Sequence, residues 1–231
     1  MATWERLAIY YAPPADSGLW AFGSAWLGWD AEAGAVPPRP AVEGLPEDPL
    51  SLTVSPRRYG FHGTLKPPFF LAEGTSAGEL EREAEALAAS LAPFEAPALS
   101  LQTTGRFGFL GLSAPSPEMA ALASACVERL DRFRAPPSQA ELARRRKMSL
   151  TPAQEDNLAR WGYPYVFEQF RFHLTLTSAL APRTLAATVE ALAPHAAPFC
   201  EAPLPVREIA LFGDPGGGAP FRLLRRLPLG G

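Results

Sequence analysis

The sequence predicts an α+β chain of two pseudo-symmetric lobes, built from duplicated strand–helix–strand units. Antiparallel sheets are expected to face a central cleft, with a helical insertion between the repeats. Three observations predict this. The string Phe-His-x-Thr-Leu occurs twice, as Phe61-His62-Gly63-Thr64-Leu65 and as Phe172-His173-Leu174-Thr175-Leu176. Each copy sits in an alternating apolar segment of the kind that forms a strand and is followed by a helix-period stretch. Each helix is followed in turn by a near-copy, Ala92-Pro-Phe-Glu-Ala-Pro-Ala-Leu99 and Ala197-Pro-Phe-Cys-Glu-Ala-Pro-Leu204. Matched order on this scale marks an internal repeat. The expected organisation is a single bilobal domain over 1–231, with repeat one at about 1–113, the insertion at about 114–165 and repeat two at about 166–231.

The elements follow in chain order. Leu7–Tyr11 reads as the first strand, and the Pro/Gly/Ser-containing stretch 12–18 as a turn. Residues 19–29 are aromatic, apolar and partly helical in pattern; Trp20, Phe22, Trp26 and Trp29 could line a pocket, but aromatics at this spacing read first as core. A Pro/Gly/acid-rich loop spans 30–56, long enough to be a lid or a mobile segment. The first motif strand covers about 58–66 and stops at Pro67-Pro68. In 76–91 an apolar stripe of Leu80, Ala84, Leu87, Ala88 and Leu91 predicts an amphipathic helix. Strands are expected at 97–103 and 106–113, and helices at 117–134 and from Ser138 through Lys147. Thr151-Pro-Ala-Gln154 is a capping box with proline at the first helical position, opening a helix to about Trp161. After the turn 162–165 comes the second motif strand, 166–178. A helix at 182–193 and strands near 205–212 and 220–227 complete the chain.

Composition narrows the functional classes. With 47% hydrophobic residues the chain can bury a large core, and a mean hydropathy of −0.02 suits a soluble protein. No apolar run reaches the ~18 residues of a membrane span, and the N-terminus lacks a signal-peptide pattern. A cytoplasmic location is the expectation. Cys126 and Cys200 show neither metal nor redox spacing and read as reduced thiols. A net charge of −3 gives no global attraction to a nucleic-acid backbone, so a small anion, and not extended nucleic acid, is the expected partner.

Strand geometry then sorts the motif residues by face. Side chains at i and i+2 share a face, so His62 and Thr64 oppose Phe61 and Leu65. His173, Thr175 and Thr177 likewise oppose Phe172, Leu174 and Leu176. Two such faces meeting would set an acid–base pair around an anion. Lys66 continues the phase of His62 and Thr64, and it and Lys147 are the chain's only lysines. Arg171 shares the phase of His173, and Arg58 that of His62; either could grip a phosphate. Tyr59 and Tyr11 are further pocket candidates. No carboxylate lies in phase beside either histidine, which disfavours a metal, and no cofactor is expected. The basic run Arg144–Lys147 reads as a solvated helix face with a possible hold on the far end of an anionic substrate.

Twin His-x-Thr strands on a duplicated α+β unit resemble the two-histidine phosphoesterase superfamily. The flanks Ala8-Ile-Tyr-Tyr-Ala-Pro13, Ser24-Ala-Trp-Leu-Gly28, Tyr59-Gly-Phe-His-Gly-Thr-Leu-Lys66, Trp161-Gly-Tyr-Pro-Tyr-Val166 and Phe170-Arg-Phe-His-Leu-Thr-Leu-Thr177 look like its branch from phosphonate-utilisation operons. The resemblance implies metal-independent phosphoester chemistry without fixing the substrate, and the leading expectation is hydrolysis of a small sugar or nucleotide cyclic phosphate. His62 and His173 are then the expected catalytic acid–base pair. Thr64 and Thr175 are the expected phosphate ligands, with Lys66 and Arg171 in support. The rival readings are an RNA-end cyclic phosphodiesterase or 2′-5′ ligase-like enzyme, and a non-catalytic binder of a phosphorylated metabolite.

Overall fold

A computed structural model describes residues 4–146 and 149–231, apart from the side chain of Arg144. Lys147 and the side chain of Arg144 in the basic run therefore lie outside what is described. In chain order the elements are β1 (Arg6–Tyr11), α1 (Gly18–Leu27), α2 (Pro49–Leu52), α3 (Val54–Arg57), β2 (Gly63–Phe69), α4 (Ala77–Ala89), β3 (Phe94–Ala96), β4 (Leu99–Thr104) and β5 (Phe107–Leu112). There follow α5 (Pro117–Arg129), α6 (Gln139–Arg146), α7 (Pro152–Trp161), β6 (His173–Thr175), α8 (Pro182–Ala196), β7 (Leu204–Val206), β8 (Glu208–Asp214) and β9 (Arg222–Pro228).

Local chemistry sets the helix ends. Ser76 and Glu79 close a capping box at the start of α4, and Thr151 and Gln154 close the predicted one at α7. Gly162 ends α7 in the left-handed conformation at φ 72°, which a residue with a Cβ adopts reluctantly. The 30–56 loop is pinned by Arg39, which donates to the carbonyls of Trp26 (2.7 Å) and Leu27 (3.1 Å).

The α+β class and its duplicated antiparallel architecture are as the sequence predicts, but the two halves join edge to edge. The strands form one antiparallel sheet in the order β4-β5-β6-β2-β1-β8-β9, with β3 and β7 paired separately. About the β6/β2 boundary this order is symmetric. It sets β5 against β1, β6 against β2 and β4 against β8, and leaves β9 as an added edge strand. The second structural unit therefore opens at β5 rather than at 166. The 114–165 helices lie inside it, in the place that the β1-to-β2 connection takes in the first unit. Each lobe thus mixes strands from both sequence repeats, since β1 pairs with β8 and β5 with β6.

The second motif strand is much shorter than 166–178. Phe167 has a positive φ of 53° and opens a 3-10 turn over Phe167–Gln169, so the chain reaches sheet geometry only at His173. One face of the sheet carries the main core: Leu7, Ile9 and Tyr11 of β1 and Ile209 and Leu211 of β8 pack there with residues of α4, α5 and α8. The intervening Ala8, Tyr10, Ala210 and Phe212 form a smaller cluster on the opposite face.

Candidate functional site

The two motif strands are direct neighbours, with Gly63 opposite Leu174 in an antiparallel ladder. Carrying that register one residue either way sets Thr64 opposite His173 and His62 opposite Thr175, all four on one face. Directly opposed side chains on such a ladder have Cβ atoms about 5 Å apart. Glycine at position 63 allows the close approach, because a Cβ there would lie 2.5 Å from the Phe172 ring.

Each imidazole is locked the same way. His62 Nδ1 lies 2.9 Å from the Gly60 carbonyl, and His173 Nδ1 lies 2.8 Å from the Arg171 carbonyl. A carbonyl only accepts, so Nδ1 carries the proton in both rings and Nε2 is left as the exchanging nitrogen. Gly60, at φ 76°, turns its carbonyl back onto the His62 ring. The Thr64 hydroxyl donates to His62 Nε2 at 3.2 Å.

The two halves differ in their aromatic backing. Tyr10 on β1, paired with Thr64, stacks on His62 at 3.8 Å and 22°. Its symmetry counterpart Phe109 on β5, paired with Thr175, meets His173 edge-on at 5.7 Å and 72°. Desolvation in this stack pushes His62 down to about 4; the Gly60 hydrogen bond opposes the shift and the charge of His173 adds to it. His173 is exposed.

The other expected site residues fare differently. Lys66 is turned away. The β1–β2 register shifts between Ile9 and Tyr10, so strict alternation fails between Thr64 and Lys66. The lysine is buried beneath α5, where its Nζ donates to the Val127 carbonyl (3.0 Å) and to Asp131 (3.2 Å). Burial, opposed by Asp131, pulls it down to about 8. Tyr11 belongs to the main core on the far face, donating to the Pro205 carbonyl at 3.3 Å. Thr177 lies beyond the end of β6, fully buried, and accepts from the Gly108 amide at 2.9 Å. Arg171 is exposed and folds back onto the Glu168 and Phe170 carbonyls. Tyr59 stands with its ring 6.2 Å from His62, and Arg58 beside it pairs with Asp214 at 3.3 Å.

Tyr10 and Phe109 were not among the expected residues. Tyr10 was within reach of the sequence: Leu7, Ile9 and Tyr11 form the apolar phase of β1, which leaves Tyr10 on the motif face. Phe109 had no such signal, because nothing in the sequence pairs β5 with β6. Among the described residues no three His, Cys, Asp or Glu side chains gather as a metal site would require, and no helix is long and apolar enough to cross a membrane.

The family described as "Protein of unknown function (DUF1045)" matches residues 64–222. Two curated relatives are each described as a ribose 1,5-bisphosphate phosphokinase PhnN. The one from Janthinobacterium sp. (strain Marseille) is 36% identical over 98% of this chain and 51% of its own length. The one from Laribacter hongkongensis (strain HLHK9) is 38% identical over 95% of this chain and 51% of its own. The chain thus spans about half the length of the curated relatives it matches. Among solved structures, a protein described as a phosphoesterase aligns at 15% identity and TM-score 0.45, over 98% of this chain and 99% of its own. E. coli LigT in apo form aligns at 16% and 0.46, over 97% of each chain. LigT complexed with NADP+ aligns at 19% and 0.44, over 98% of each.

Proposed function

The chain belongs to the DUF1045 family, and we propose that it is a two-histidine phosphoesterase that opens a small cyclic phosphodiester without a metal. One observation carries this reading: two His-x-Thr strands lie side by side with both imidazoles locked through Nδ1. A phosphodiester placed between them would meet a base, an acid and two hydroxyl donors, the set that in-line displacement by water needs.

Roles follow from the asymmetry. His62, held neutral at physiological pH by its stacked surroundings, takes a proton from the attacking water at Nε2. Water oxygen bonds to phosphorus, and the bond from phosphorus to one sugar oxygen breaks. His173 delivers its Nε2 proton to that departing oxygen, leaving a phosphate monoester and a free hydroxyl. The Thr64 and Thr175 hydroxyls turn onto the phosphoryl oxygens, where charge builds up in the transition state. The relatives' description as ribose 1,5-bisphosphate kinases supports a ribose-based substrate. The motif flanks support a setting in phosphonate catabolism.

The test is EDTA-treated protein against cyclic ribose phosphates, 2′,3′-cyclic mononucleotides and RNA carrying a cyclic end. Turnover of a small compound is expected. Alanine at His62 or His173 should each lower kcat by roughly 10²–10⁴-fold. Binding without product would favour a sensor, and preference for RNA ends would favour end processing. Full activity in His62→Ala would sink the acid–base assignment.

A further inference from the structure

The motif face continues beyond the histidines to a second polar cluster. On β1, Arg6, Ala8 and Tyr10 alternate onto that face, and in register with them stand Asp214, Phe212 and Ala210 of β8. From His62 the rings run Tyr59 (6.2 Å), then Phe221 (5.0 Å from Tyr59), then the Arg6 guanidinium carbon over Phe221 at 5.6 Å. Burial first, then the neighbouring Tyr59, raises the Tyr10 phenol well above its ordinary value; Arg6 opposes this, and Tyr163 and Asp214 add to it. The Tyr10 ring covers His62 from this side, stacked at 3.8 Å.

Charge in the cluster is unbalanced. Asp214 is fully buried, and its Oδ2 takes Arg6 through Nε (3.0 Å) and Nη2 (2.5 Å). Its Oδ1 accepts the Gly216 amide at 3.0 Å. Arg58 reaches the same Oδ2 only at 3.3 Å, and its buried Nε has no partner among the described residues. Glu5, the other acid near Arg6, is exposed and lies against Gly216. Two guanidinium groups thus share one committed carboxylate. The aromatic faces are taken, Tyr10 by His62 and Phe212, Tyr59 by Phe221. What the cluster offers a ligand is a guanidinium beside a phenol, a set suited to a phosphate and poor for stacking a base.

We propose that Arg58 and the neighbouring Tyr59, whose ring stands 6.2 Å from His62, form a second anion subsite that holds a phosphate monoester carried by the substrate away from the reacting ring. This rests on the phosphoesterase reading and narrows it: the substrate is a cyclic phosphate of an already phosphorylated sugar.

The test separates the two. Ribose 5-phosphate, which has no cyclic phosphate, is titrated calorimetrically into wild type, Arg58→Met, Arg58→Lys and the His62→Ala/His173→Ala double variant, each checked for native circular dichroism. Binding is expected in wild type and the histidine variant, weakened about tenfold or more in Arg58→Met as loss of a charge-assisted bond implies. Partial recovery is expected in Arg58→Lys. No binding to wild type overturns the subsite. So does binding that survives Arg58→Met and vanishes with the histidines, which would put the phosphate at the imidazoles alone. None of these outcomes depends on turnover, so an inactive enzyme would count only against the cyclic-phosphate reading.

Discussion

Because the Tyr10 ring lies 3.8 Å over His62, protonating that imidazole places a charge where water is largely excluded. Between about pH 4 and 6.5 the unfolded chain binds this proton and the folded chain does not. Stability should therefore rise with pH through that window and level off above it, with an upper bound of about 3 kcal/mol. Urea unfolding of wild type at about pH 4.5 and 7.5 should show the difference, and His62→Gln should remove most of it. Equal pH dependence in both proteins would mean that His62 is not the desolvated group. Lys66 is the opposite case, a titratable group whose burial serves packing. Removing it leaves Asp131 bonded to Arg134 at 2.8 and 3.1 Å, so no charge is orphaned. Lys66→Met should keep kcat/KM within about twofold, whereas losing a phosphate ligand would cost about tenfold or more. Steady-state kinetics on whichever compound of the substrate panel is turned over decides this.

At the scale of elements, the join between β2 and β6 is the point most open to damage. A methyl group at position 63 would meet Phe172 at 2.5 Å and Leu174 at 3.3 Å. Gly63→Ala should cost about 1–3 kcal/mol, lowering Tm by several degrees, and should reduce kcat by spreading the histidines. An unchanged Tm would show that the strands are not held this closely. This join also marks how far the sequence could be read. Strand phase placed His62, Thr64, His173 and Thr175 correctly on one face, since alternation is local and both motifs keep it. The same rule misplaced Lys66 and Thr177, because a register shift in β2 and the end of β6 break the alternation just past the motifs. That β2 and β6 touch at all is a long-range pairing, and periodicity carries no information on which strands meet.

For the whole molecule, the repeat in the sequence is not a repeat of independent parts. Residues 1–113 hold the β4–β5 hairpin but lack β8, the partner of β1, and β6, the partner of β2 and β5. Expressed separately, 1–113 and 114–231 should each fail to give a cooperative thermal transition by circular dichroism. Expressed together, they should recover one. A cooperative melt from either piece alone would contradict the exchange of strands between lobes. The duplicated Ala-Pro-Phe segments were legible as a repeat. The exchange was not, because sequence similarity records which segments correspond and says nothing of which neighbour each one chooses.

The carbonyl locks on the two imidazoles have one more consequence, for the rhythm of successive turnovers. Each ring can load or release a proton at Nε2 alone, since Nδ1 stays tied to its own strand. In the proposed ring opening, the base ends holding the proton and the acid ends without it. The free protein of that scheme has two forms, one poised for opening and one for closing, and the lowered proton affinity of His62 makes the second the scarcer. No strand movement interconverts them; only bulk water or buffer does, by carrying a proton off one nitrogen and returning one to the other. The product, if it lingers, meets a protein already set to run backwards.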